Sequence, residues 1–154
     1  DPYYPAYYEG RTEIEGIRDY FESILDNVTL IDDFDVYGHL DYVVRYCPSG
    51  EKIFRMSDYK EVFEQIFKKI IPKGKGIEIN TGSLYKNMSY AHPHMDILKL
   101  YKDMGGEIIT VGSDAHKPEY LCYDFETYAR DALTSLGYRY YCTFKNRKPE
   151  FNPL

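Results

Sequence analysis

A chain of 154 residues is long enough for one domain built on a single core. Hydrophobic residues at 44% against 29% charged describe a packed domain and exclude a disordered segment. The net charge of −6 argues against a nucleic-acid partner, and no apolar run approaches the roughly 18 residues of a membrane span.

Residues 1–10 hold two prolines, a glycine and four tyrosines and read as irregular. Thr12 and Glu15 then form a Thr-x-x-Glu capping box. Ile14, Ile17, Phe21, Ile24, Leu25 and Val28 recur at helical spacing, which predicts an amphipathic helix over 12–28. The short stretch Asp35 to His39 reads as a buried strand ending at His39. Pro48, Ser49 and Gly50 make a loop, and Ser57 is placed to cap a second helix carrying Val62, Phe63, Ile66, Phe67 and Ile70 on one face. Pro72 and Gly74 stop that helix. Gly76 to Asn80 is a second strand, and 81–92 a polar loop. Pro93 stands where a first-turn proline is tolerated, and Ile97, Leu98, Tyr101 and Met104 mark a third helix ended by Gly105-Gly106. Glu107 to Val111 is a third strand, rich in β-branched residues. A fourth helix over 124–136 ends at Gly137, and Tyr138 to Phe144 is a fourth strand before a tail with Pro149 and Pro153. Four helix–strand repeats predict an α/β fold with parallel strands alternating with helices, as a single domain over 1–154.

Three cysteines, Cys47, Cys122 and Cys142, are widely spaced with no CxxC pair. This predicts free thiols and a cytoplasmic protein, and no signal peptide is visible. The chain begins at Asp1 without an initiator Met, which suggests a piece of something longer.

His39, Asn80 and Asp114 each fall at or just past the end of a predicted strand. In a β/α barrel the C-terminal strand ends collect active-site residues. Asp114 and His116 follow the third strand in Gly112-Ser113-Asp114-Ala115-His116, where a carboxylate and an imidazole suit a divalent metal. Alone, Asp-x-His is a common pattern, more often a capped turn with a surface histidine. His39 could be a core histidine or a ligand, with Asp41 orienting its ring. Glu78 and Asn80 share one strand face, pointing into the barrel or outward. Arg45 and Lys86 are candidate phosphate binders, Arg45 through its two-pronged fork, although a solvated charge is the commoner role for either. His92 and His94 flank Pro93 with no spacing that demands a role, and His94 reads as solvent-exposed.

Three runs together carry a resemblance: Phe34-Asp35-Val36-Tyr37-Gly38-His39-Leu40-Asp41, Gly76-Ile77-Glu78-Ile79-Asn80-Thr81, and Gly105-Gly106 through Asp114-Ala115-His116. In order and separation the chain closely resembles the histidinol-phosphatases of the PHP (polymerase and histidinol phosphatase) superfamily. That resemblance implies the C-terminal portion of a distorted seven-stranded (β/α) barrel of the PHP type. It implies a centre of three divalent metal ions (zinc, manganese or iron), with His39, Asp114 and His116 as ligands and Asp114 and His116 catalytic. Arg45 matches a phosphate-binding position, and Lys86 stands beside a turn where relatives often carry arginine. The implied reaction is hydrolysis of L-histidinol phosphate, a small phosphorylated substrate, in histidine biosynthesis. The half that carries an early His-x-His motif is absent. The expectation is therefore an incomplete metal site, little activity in this chain alone, and a homo-oligomer or a complex with the missing half. Alternatives are a phosphoesterase of the superfamily with another substrate, or a non-catalytic domain that keeps the fold.

Overall fold

The computed structural model describes residues 1–154. Three parallel strands, β1 (Val36–Tyr37), β2 (Gly76–Asn80) and β3 (Ile109–Gly112), form one sheet in that order. Tyr37 pairs with Ile77, and Glu78 with Thr110. On β2 the side chains alternate: Ile77 and Ile79 are wholly buried, while Glu78 between them is only partly so. The apolar face of the sheet is covered by α1 (Glu13–Leu30) and α3 (Lys60–Ile70). Ile17, Phe21, Ile24 and Val28 of the first meet Val62, Phe63, Ile66, Phe67 and Ile70 of the second, with Phe21 and Phe63 ring centroids 4.7 Å apart. This single core draws on both helices, the sheet and α4 (Met95–Asp103); of the stripe predicted for α1, Ile14 lies outside it and is exposed.

The capping box forms: the Thr12 hydroxyl accepts the Glu15 amide and the Glu15 carboxylate accepts the Thr12 amide. Ser57 caps no helix. It lies in a 3-10 turn (Met56–Asp58) and its hydroxyl turns to Asp58, while α3 starts after Tyr59. A four-residue helical turn, α2 (Tyr42–Arg45), follows β1 and was not predicted. The predicted fourth helix divides into a π-helical turn (Phe125–Ala129) and the short α5 (Arg130–Ser135).

The fourth strand differs from the reading as a further parallel strand. β4 (Tyr140–Lys145) pairs antiparallel with β5 (Lys148–Pro153) in a separate two-stranded sheet. The cause lies at Asn146-Arg147, where both residues adopt left-handed φ (50° and 63°) and turn the chain back on itself. Pro149 and Pro153 are tolerated because the hairpin has an open edge. Its tip reaches the segment before β1, where Arg147 bonds Asp33 and Asp35. No helix is long and apolar enough to cross a membrane.

Candidate metal and phosphate site

The parallel register brings the C-terminal ends of the three strands together on the sheet face away from the helices. Glu78 stands at the centre of this face. Glycines occupy both sides of it: a Cβ on Gly38 would lie 2.9 Å from one carboxylate oxygen, and one on Gly112 would lie 2.6 Å from the other. The sequence left open which way Glu78 points; the two glycines, one per neighbouring strand end, were the signal that its carboxylate needs room. Asn80 donates to Glu78 at 3.3 Å, and its own side-chain oxygen accepts the Gly82 amide, so it serves the turn.

His39 follows β1 in the left-handed region (φ 57°), which swings its ring over the sheet end. Its Nδ1 is 3.5 Å from the Glu78 carboxylate. The hydrogen bond to Glu78 raises the His39 pKa against the opposing effect of burial, and the Glu78 and Asp114 charges add to the rise. Asp114 also has left-handed φ (50°), and its turn is held by the Tyr85 hydroxyl, which donates to the Ser113 and Asp114 carbonyls at 3.0 and 2.7 Å. The Asp114 carboxylate carries Lys86 at 3.2 Å. Arg45, on α2, lies over the rings of Tyr46 (5.0 Å) and Tyr42 (6.0 Å), and Tyr42 in turn packs against His39 (5.3 Å). Burial raises the Tyr85 pKa, Asp114 adding to the rise and Arg45 opposing it; Tyr42, which also feels Asp114, is pushed up to about 12, mainly by burial.

The structure thus joins His39 to Glu78, and Asp114 to Lys86, with Arg45 at the rim. His116 is exposed, and its Nδ1 reaches only the Asp114 carbonyl, at 2.9 Å. Nitrogen and carboxylate donors of this kind fit a divalent ion such as zinc, manganese or iron. Their number does not complete a site: no group of three or more His, Cys, Asp or Glu side chains converges on one point. Two histidine assignments are corrected. Asp41 makes no bond to the His39 ring; it is wholly buried and bonds His92 Nδ1 at 2.6 Å, 51 residues away in sequence. His94 is half-buried between Tyr90 and Phe54 and caps α4, accepting the Asp96 amide. All three cysteines are free; Cys47 and Cys142 are buried and Cys122 is exposed.

A parallel α/β sheet thus brings an imidazole, two carboxylates and a lysine to its strand ends. Comparison with known proteins narrows the class of chain. Residues 1–82 match the PHP domain, and the chain belongs to that family. It is 30% identical over 148 residues to the histidinol-phosphatase of Lactococcus lactis subsp. lactis strain IL1403, covering 95% of this chain and 54% of that protein. It is 32% identical over 123 residues to a probable histidinol-phosphatase of Thermotoga maritima, covering 80% and 49%. The crystal structure of the Lactococcus lactis histidinol phosphate phosphatase, complexed with zinc, L-histidinol and phosphate, superposes with a TM-score of 0.72 at 27% identity, over 94% of this chain and 54% of that one. The chain spans about half the length of the curated relatives it matches.

Proposed function

We propose that this chain is the C-terminal portion of a metal-dependent phosphomonoesterase that hydrolyses L-histidinol phosphate to L-histidinol and phosphate in the cytoplasm. The observation that carries the reading is the placement of the His39–Glu78 and Asp114–Lys86 pairs at the ends of the parallel strands, in a chain similar to histidinol-phosphatases. In this reading the three strands are part of a seven-stranded barrel, and His39, Asp114 and His116 contribute ligands to a larger set. Divalent ions bound there would neutralise phosphate charge and acidify a water toward the reactive range near neutral pH.

The chain's own groups do the rest. Arg45 offers two parallel N–H donors to phosphate oxygens, and Lys86 a single point charge. The aromatic rings of Tyr42 and Tyr46 hold the Arg45 guanidinium at the rim. Asp114 would accept a proton from an attacking water once Lys86 turns to the substrate. Glu78, on the sheet face away from the helices, pairs with His39 at 3.5 Å.

The absence of a three-ligand group favours a second statement: the chain alone binds metal weakly and has little phosphatase activity. Phosphate release from L-histidinol phosphate, measured with zinc or manganese and again after chelation, tests both. The chain joined to the upstream half that its relatives carry is expected to be active and chelator-sensitive, and the chain alone close to background. Activity that survives complete metal removal would sink the metal reading, and activity confined to other phosphoesters would sink the substrate.

A further inference from the structure

His92 and Asp41 form a fully buried pair that the phosphatase reading does not use. His92 is 2% exposed and Asp41 0%. One Asp41 oxygen accepts His92 Nδ1 at 2.6 Å, and the other accepts the His94 amide at 2.8 Å. A buried carboxylate is costly unless such bonds satisfy it. Because Asp41 accepts, Nδ1 carries a ring proton, and Nε2 meets no partner. The useful atom of His92 is therefore Nδ1.

Both ends of this pair lead to the site. Asp41 lies two residues beyond His39, across the buried Leu40, and the His39 carbonyl is gripped from the other side by the Tyr20 hydroxyl at 2.8 Å. His92 exchanges two backbone hydrogen bonds with Asn80, two residues beyond Glu78. The pair thus ties the turn after β1 to the end of β2, the two segments that bring His39 and Glu78 to 3.5 Å. His39 holds a left-handed backbone that a non-glycine residue adopts at a cost, so something must over-determine it.

We propose that Asp41 and His92 are positioning residues that hold His39 over the site. The positioning stands on geometry alone, and only its use in metal binding rests on the proposed function. Asparagine at 92 places an amide nitrogen where Nδ1 lies, whereas glutamine carries it to the place of Nε2. Proton–proton Overhauser contacts between the His39 and Tyr42 rings, 5.3 Å apart in the structure, report the position of His39 without metal. Contacts between Phe21 and Phe63 report the core.

The expected result is loss of the His39–Tyr42 contacts in His92→Gln and in Asp41→Leu, with the core contacts kept, and their return in His92→Asn. Wild-type His39 contacts in the glutamine and leucine variants would overturn the proposal. So would their loss in the asparagine variant, or loss of the core contacts in all three, since the pair would then serve the whole fold. Broadening of His39 and Asp114 signals by Mn2+ in the unmutated chain tests the metal reading separately.

Discussion

Glu78 illustrates how one side chain decides the character of a site. Its carboxylate raises the His39 pKa, so protonated His39 is favoured in the fold. The sign follows: the pair's contribution to stability is full below the unfolded histidine pKa and is lost as pH rises through the folded one. With 40% of the His39 side chain exposed, solvent screens the pair, and its main consequence is orientation rather than stability. Glu78→Gln is expected to bring the His39 pKa of the metal-free chain back down toward the ordinary histidine value, read by NMR titration of the ring protons. An unchanged titration would mean that Glu78 does not govern His39. The site was only partly legible at this scale. His39 and Asp114 could be singled out because strand ends and the family's motifs marked them. The Asp41–His92 contact was not, because no spacing rule links residues 51 apart and the nearer His39 offered a plausible partner.

At the scale of elements, the glycines of the sheet divide into two kinds. A Cβ on Gly76 would lie 2.7 Å from the Ile108 carbonyl oxygen, and neither backbone can move freely inside a parallel sheet. Gly76→Ala is expected to destabilise the chain by about 1–3 kcal/mol in urea unfolding. A Cβ on Gly112 meets only the far end of the Glu78 side chain, at 2.6 Å. Gly112→Ala should therefore leave the unfolding midpoint nearly unchanged while displacing Glu78 and lowering the His39 pKa. A large loss of stability in Gly112→Ala would contradict this division. The helices α1, α3 and α4 and the strands β2 and β3 were readable because their apolar periods and stop signals are strong. The hairpin was not: β4 alternates like any strand, and its partner carries two prolines that read as tail. Whether a strand pairs parallel or antiparallel depends on the turn after it, here Asn146-Arg147, whose left-handed conformation asparagine only hints at.

For the molecule as a whole, the exposed edge of the parallel sheet is the open question that chemistry can answer. β1 pairs on one side only, with β2. Beside it runs a groove of about 370 Å³ lined by Asn27, Ile31, Phe34, Val36, Tyr37 and Gly38. Leu30 and Ile31 are 82% and 55% exposed. Such an edge invites pairing with another chain, as expected for an oligomer or for union with the half that relatives carry. Light scattering on the chain alone should show association that grows with concentration and weakens in Ile31→Lys. A monomer at every concentration would remove the edge as an interface. The Arg147 latch has a consequence of a different kind. It fastens the segment before β1 to a residue 112–114 positions further along the chain. Closing so long a loop is slow, and contacts of this separation raise the mean distance between folding partners. β1 meets β2 over a much shorter stretch of chain, so its pairing is expected to precede the latch. The latch is then a late fastening on an edge strand that its neighbour already holds.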